Sequence, residues 1–205
     1  MKVYRFINSN FTSNSYILFL DESDYVFIID PGDSKPLIDW LKNNSKSLQG
    51  VLITHAHFDH IYGMNDILDL FPNIEIYAST YAKAGMLSSK LNSSYYTENP
   101  FVIECENIII VDENDTIFLW KDVVANVICT PGHNNDCLSF VIEKNLFTGD
   151  ALIPGIKVHT KSKNSDKKLA EDSIKRIIEQ YDVDIMIWPG HKGNCLLGEM
   201  SKKSR

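Results

Sequence analysis

Four short apolar runs in this 205-residue chain end in the same way, and that repetition narrows what the chain can become. Val51-Leu52-Ile53-Thr54 leads into His55-Ala56-His57-Phe58-Asp59-His60. Val127-Ile128-Cys129-Thr130 leads into Pro131-Gly132-His133. Leu146-Phe147-Thr148 leads into Gly149-Asp150, and Ile185-Met186-Ile187-Trp188 into Pro189-Gly190-His191. Each time a strand-like run stops, a tight turn follows and an imidazole or carboxylate appears. A lone histidine reads as a satisfied core residue and a lone Pro-Gly-His as a turn. Four such sites in one chain, holding five of its six histidines, do not.

Strand ends on a rigid scaffold aim side chains into a shared cleft. Imidazole and carboxylate are ligands for Zn²⁺, Fe and Mn. His55 and His57 are two apart, which in an extended segment puts both on one side, where they can share an ion. Asp59 and His60 follow, and a turn there directs them to a second. Seven ligands exceed what one tetrahedral ion uses and suit two ions with a shared carboxylate and water.

The rest of the chain supplies a frame for this set. Strands are expected at residues 3–7, 15–20, 25–29, 51–53, 74–77, 108–111, 116–120, 123–129, 138–142, 146–148 and 185–187. Asp30-Pro31-Gly32 stops the third run as a turn. Helices are expected after Ser34 as cap, over residues 61–71 and 79–88, and through Ile174, Ile177, Ile178 and Tyr181 with Ser165 or Asp166 near the cap. Residues 88–100 and 154–166 read as loops. Each half reads as strands first and helices afterwards, which favours two packed sheets with helices outside over a doubly wound sheet.

Length and composition set the class. Residues 1–205 are expected to form one domain, with 44% hydrophobic and 23% charged residues, as in soluble globular proteins. The formal charge of −7 argues against a general nucleic-acid binder. The basic Ser201-Lys202-Lys203-Ser204-Arg205 reads as a solvated tail. The longest apolar runs are far short of the about 20 residues that span a membrane, and no signal peptide is expected. Cys105, Cys129, Cys137 and Cys195 form no Cys-x-x-Cys pair and read as free thiols, which points to the cytoplasm.

The series His55-x-His57-x-Asp59-His60, His133, Asp150, His191 resembles the metallo-β-lactamase-fold hydrolase superfamily, in family order and over most of the chain. The resemblance implies an α/β fold, a four-layer αβ/βα sandwich. It also implies one metal held by His55, His57 and His133, a second by Asp59, His60 and His191, and Asp150 as the bridge. The set looks most like the glyoxalase II branch and its lactonase relatives. Antibiotic-hydrolysing members commonly carry Cys or Ser where this chain has Asp150, so β-lactams are not the expected substrate. Only 14 residues follow His191, so the glutathione-holding helical extension of glyoxalase II is not expected. After Asp150 the chain reads Pro154-Gly155-Ile156-Lys157-Val158-His159-Thr160-Lys161 in place of the Gly-Arg-x-Asp segment of many glyoxalase-like members.

The resemblance implies hydrolysis of a thioester, ester or lactone of a small molecule by a metal-bridging hydroxide, with two divalent ions, Zn²⁺ ahead of Fe or Mn. Asp59 is the catalytic candidate, orienting the nucleophile and carrying a proton to the leaving group. Lys157, His159 and Lys161 are substrate-binding candidates set against a plain solvated loop. Residues 10–14 are candidates for a lip over the site, and Tyr95 and Tyr96 for a substrate wall. Rival readings are a mononuclear iron sulfur dioxygenase, a phosphodiesterase and a non-catalytic metal-binding domain.

Overall fold

The computed structural model describes residues 1–105 and 107–202, so residues 203–205 of the basic tail lie outside the described residues. The chain divides into two compact units, Met1–Val111 and Asp112–Arg205, each with a six-stranded sheet of its own.

In the first unit, β1 (Lys2–Ile7) and β2 (Asn14–Phe19) form an antiparallel hairpin, and β3 (Tyr25–Ile29) pairs antiparallel with β2. From β3 onward the sheet is parallel and in chain order, through β4 (Ser47–Leu52), β5 (Glu75–Ala78) and β6 (Ile108–Ile110). Parallel neighbours need crossovers. They are α1 (Ser34–Asn43), the pair α2 (Phe58–Ile61) and α3 (Met64–Leu70), and α4 (Thr80–Met86). Leu37 and Leu41 of α1 and Ile67 of α3 bury against Val26, Ile28, Val51 and Ile76 of the strands in one core. This half therefore alternates strand and helix after its hairpin, in contrast to the strands-then-helices reading. The crossover helices α2, α3 and α4 have 4, 7 and 7 residues, too few turns to show a helical period in sequence.

Two local expectations change. Asp33, not Ser34, is the N-cap of α1, and Ser34 instead donates its hydroxyl to Asp66 at 2.5 Å. The helix expected over 61–71 is broken at Gly63. A Cβ there would lie 2.1 Å from the Gly32 carbonyl, and Gly63 N–H donates to Pro31 O at 3.1 Å. The break lets this turn press on the Asp30-Pro31-Gly32 loop.

The second unit is an antiparallel meander of β7 (Thr116–Trp120), β8 (Val123–Cys129), β9 (Leu138–Ile142) and β10 (Asn145–Gly149). Helix α5 (Lys167–Gln180) then carries the chain to β11 (Met186–Pro189), parallel to β10, and β12 (Cys195–Leu196) closes the edge. Asp166 caps α5, accepting from Leu169 N–H at 2.9 Å. Ile177 is buried and Ile174 and Tyr181 pack beside it, whereas Ile178 is exposed and lies off the buried face. The two-residue β12 is too short to read from sequence. No helix among the described residues is long and apolar enough to cross a membrane.

Candidate metal centre

The first unit brings its four candidate ligands together where β4 runs into α2. His57 is the N-cap of α2, and Asp59 and His60 lie in its first turn. The rings of His55 and His57 are 4.8 Å apart, and those of His55 and His60 are 4.3 Å apart. His60 Nε2 lies 3.6 Å from Asp59 Oδ2. Every one of these groups is buried or half-buried.

Asp30 sits behind them. It is buried at the end of β3, with φ of 51°, a left-handed conformation that Asp tolerates better than most residues. Its carboxylate accepts from Thr54 N–H at 2.8 Å and from the Thr54 hydroxyl at 2.5 Å. It also faces His60 Nδ1 at 3.2 Å. One ligand atom each from Asp30, His55 and His60 falls within 4.8 Å of the others, so Asp30 is close enough to count as a ligand itself. Its occupied oxygens argue instead that it braces the ligands.

The hydrogen bonds fix which nitrogen His55 and His60 offer. An ionised carboxylate only accepts, so His60 Nδ1 carries the proton and Nε2 carries the lone pair. Thr54 gives its hydroxyl proton to Asp30, so toward His55 Nδ1, 3.1 Å away, its oxygen accepts. His55 therefore also carries its proton on Nδ1. One carboxylate thus sets the tautomer of two imidazoles, one directly and one through a hydroxyl.

A buried polar network holds this corner from the hairpin side. The Asn8 amide donates to the hydroxyls of Ser13 and Ser15 at 3.0 and 2.9 Å and accepts from Asp33 N–H at 3.0 Å. Ser13 donates to the Asp59 carbonyl at 2.6 Å, and Ser15 to the Asp30 carbonyl at 2.5 Å. Beside it, the Tyr62 hydroxyl and the Ser9 hydroxyl both donate to Asp33 Oδ1, at 2.6 and 2.8 Å. Burial, then the hydrogen bond to Asp33, pushes the Tyr62 phenol up to about 12. Burial alone would raise the Asp33 carboxyl, but the donors Tyr62 and Ser9 outweigh it and hold Asp33 below the usual carboxylate range.

The second unit gathers the other three. Asp150 Oδ2 lies 3.6 Å from His133 Nε2 and 3.5 Å from His191 Nε2. The parallel pairing of β10 with β11 brings the two turns side by side, with Gly190 N–H donating to Gly149 O at 2.7 Å. His133 follows Gly132, whose φ of +133° only glycine adopts readily, and whose Cβ would strike Ala170 N at 2.2 Å. His133 Nδ1 faces the carbonyl of His159 at 3.2 Å. A carbonyl only accepts, so Nδ1 carries the proton here too and Nε2 is left for the Asp150 side.

Both donor sets are chemically suited to a divalent ion. They contain only imidazole nitrogen and carboxylate oxygen, and the tautomers of His60 and His133 leave basic Nε2 atoms beside the Asp59 and Asp150 oxygens.

The other candidates divide. The side chains of Lys157, His159 and Lys161 are exposed on their loop, and His159 meets the candidate ligand His133 through its backbone carbonyl and edge-on through its ring, with centroids 6.4 Å apart. Tyr95 and Tyr96 are exposed and meet edge to face, with ring centroids 5.4 Å apart. Cys129 is half-buried, and burial with the nearby Asp112 carboxylate pushes its thiol up to about 12, far from a reactive thiolate. Of residues 10–14, Asn10 and Phe11 line a cavity. About 650 Å³ in volume, it lies wholly within the first unit, between Asn10 and Phe11 of the hairpin loop, Phe58 and Tyr62, and residues 97–101. Sequence reasoning missed Asp30 as more than a turn residue. The available signal was that it, too, follows an apolar run directly.

Comparison with known proteins follows the same lines. The family model described as the metallo-beta-lactamase superfamily matches residues 9–191. A hydroxyacylglutathione hydrolase of Francisella philomiragia subsp. philomiragia is 29% identical over 194 residues, 93% of this chain and 68% of its own length. A hydroxyacylglutathione hydrolase of Pseudoalteromonas translucida is 32% identical over 145 residues, 70% of this chain and 48% of its own length. The chain thus spans about half to two thirds of these curated relatives. The crystal structure of BLEG-1 B3 metallo-beta-lactamase superposes with a TM-score of 0.88 at 28% identity, covering 98% of this chain and 97% of that one. The α/β fold is that of the metallo-β-lactamase type, as its motifs led us to expect.

Proposed function

The chain belongs to the metallo-β-lactamase superfamily, and from that premise we propose that it is a two-metal hydrolase of a thioester, ester or lactone of a small molecule. The observation that carries the reading is that three of the candidate ligands, His55, His60 and His133, have hydrogen bonds that direct Nε2 to the metal side. Structural zinc sites are closed and typically rich in Cys, and no cysteine joins these sets.

His55, His57, Asp59 and His60 of the first unit and His133, Asp150 and His191 of the second would supply the ligands. Zn²⁺ is the ion we assign, with the nitrogen-rich sets also compatible with Fe. Bound divalent metals supply an acidified water and a Lewis acid for the carbonyl oxygen. The residues do the rest. His55 and His60 are held in register by Asp30, so no reorganisation accompanies the reaction. Asp59 keeps a carboxylate oxygen, Oδ2, turned toward His60 Nε2, where it can orient the attacking water and accept a proton bound for the leaving group. We place the enzyme in the cytoplasm, where its free thiols stay reduced.

The test is metal quantitation of the purified protein, followed by a panel of thioesters, lactones, phosphodiesters and one β-lactam. Two Zn per chain with thioester or lactone turnover supports the reading. One Fe per chain with oxygen uptake on a persulfide and no hydrolysis overturns it. The β-lactam is included because the BLEG-1 B3 metallo-beta-lactamase is 28% identical to this chain.

A further inference from the structure

The cavity of the first unit has a charge character that bears on the substrate. Its apolar wall is aromatic, with Phe11 and Phe58 packed edge to face at 5.6 Å and with Tyr62 and Phe101 beside them. Its charged lining is acidic only. Asp66 and Glu98 face it, and no Lys or Arg is among the lining residues. Phe58 stands in the chain between His57 and Asp59, so the aromatic wall is one residue from two candidate ligands.

Aromatic faces with carboxylates near them attract organic cations, through the negative face of the ring and through direct charge. The same lining repels a carboxylate or phosphate, because no cation is present to receive it. The size of about 650 Å³ suits a small-molecule arm rather than a peptide. Phe11 is 72% exposed and has φ of 51°, so an apolar ring is held out at the cavity edge by strained backbone rather than buried. A ring kept in that position gains by covering a bound group.

We infer that this cavity binds an ammonium-bearing arm of the substrate, so that the enzyme prefers cationic thioesters or esters to anionic ones. This rests on the hydrolase reading above. It departs from the glutathione thioesters that the curated relatives' names imply, since glutathione carries two carboxylates against one ammonium.

The experiment uses the zinc-loaded full chain and three matched thioesters: acetylthiocholine, its uncharged isostere 3,3-dimethylbutyl thioacetate, and S-acetyl-3-mercaptopropionate. The expected order of kcat/KM is cation, then neutral, then anion, with about tenfold or more between the first and last. Glu98→Lys is expected to cut the cation-to-neutral ratio about fivefold or more, with Asp66→Asn as the second variant if Glu98→Lys does not fold. Calorimetric titration with benzyltrimethylammonium gives a readout that needs no turnover. Saturable binding weakened in Glu98→Lys supports the inference. A charge-independent or reversed order, or no binding of the cation, overturns it. If the neutral thioester is turned over without any preference, the inference fails and the hydrolase reading stands. If no thioester is turned over but the cation binds, the cavity assignment stands and the reading of the chemistry falls.

Discussion

His60 turns its Nδ1 to the carboxylate of Asp30, 3.2 Å away, and the same carboxylate reaches His55 through the Thr54 hydroxyl. Two candidate ligands therefore share one buried brace. Asp30→Asn keeps the shape and the left-handed backbone but places an amide donor against donors. The expected result is metal affinity about 10–100-fold weaker, with about 1–3 kcal/mol of stability lost to the unsatisfied groups. A chelator-competition titration measures the first and urea unfolding the second. Wild-type affinity in Asp30→Asn would show that the tautomers are set by something else.

Asp59 is both a candidate ligand and the candidate proton carrier, and these roles separate on substitution. Asp59→Asn is expected to lower kcat by about 10²-fold or more, while the protein keeps about half of its metal or more. Parallel loss of metal and activity, read by elemental analysis beside the assay, would leave Asp59 a ligand only.

Three glycines make a graded series. Gly63→Ala would drive a Cβ to 2.1 Å from the Gly32 carbonyl, and Gly132→Ala to 2.2 Å from Ala170 N. Both contacts are to backbone, which cannot turn aside, so a loss of about 3 kcal/mol or more is expected for each. Gly155 has φ of +77° but open space around it, so Gly155→Ala carries backbone strain alone, about 1–2 kcal/mol. Urea midpoints that failed to rank Gly155→Ala as the mildest would contradict the packing described at the two turns.

Tyr62 gives stability a dependence on alkaline pH. Its folded pKa is raised to about 12 from an ordinary value of 10.0, so folding favours the protonated phenol. That contribution is complete below the ordinary value and is lost as pH rises from there through the folded value. With partial exposure discounted, about 1–2 kcal/mol should go across this window. Tyr62→Phe has no proton to lose, so its stability should fall less than that of the wild type between those two values. Urea unfolding of both proteins at matched salt on either side of the window is the check, and equal falls would assign the alkaline loss to other tyrosines.

The parts of this fold that were readable in sequence share a cause. Val127, Leu146 and Ile187 are wholly buried, and a ligand follows each within four to six residues, so apolar runs and spacing reveal them together. Asp30 was readable only as a turn, because Asp-Pro-Gly has the same local signature whether its carboxylate faces water or two histidines. The Asn8, Ser13 and Ser15 network was hidden for a related reason. Ser15 follows Asn14 at the polar start of β2, and only its complete burial shows that it is structural. The helix breaks at Gly63 and the short crossovers depend on contacts between loops far apart in sequence, which no local period records. The cavity wall at residues 97–101 comes from an irregular segment, whose position is set by tertiary bonds such as Phe101 N–H to Ser94 Oγ at 3.0 Å.

The reach of the Asp30 carboxylate also fixes an order of events as the chain folds. Its partners lie 24 residues away at Thr54 and 30 away at His60, across the whole α1 crossover. Closing a loop of that size costs entropy that local contacts do not return, so β3, α1 and β4 must dock before the brace exists. Until then His55 and His60 exchange their protons freely between ring nitrogens and offer no fixed donor. Ion capture in this half is therefore a late step that reads out a finished crossover, and a metal supplied early in refolding should accelerate nothing before that point.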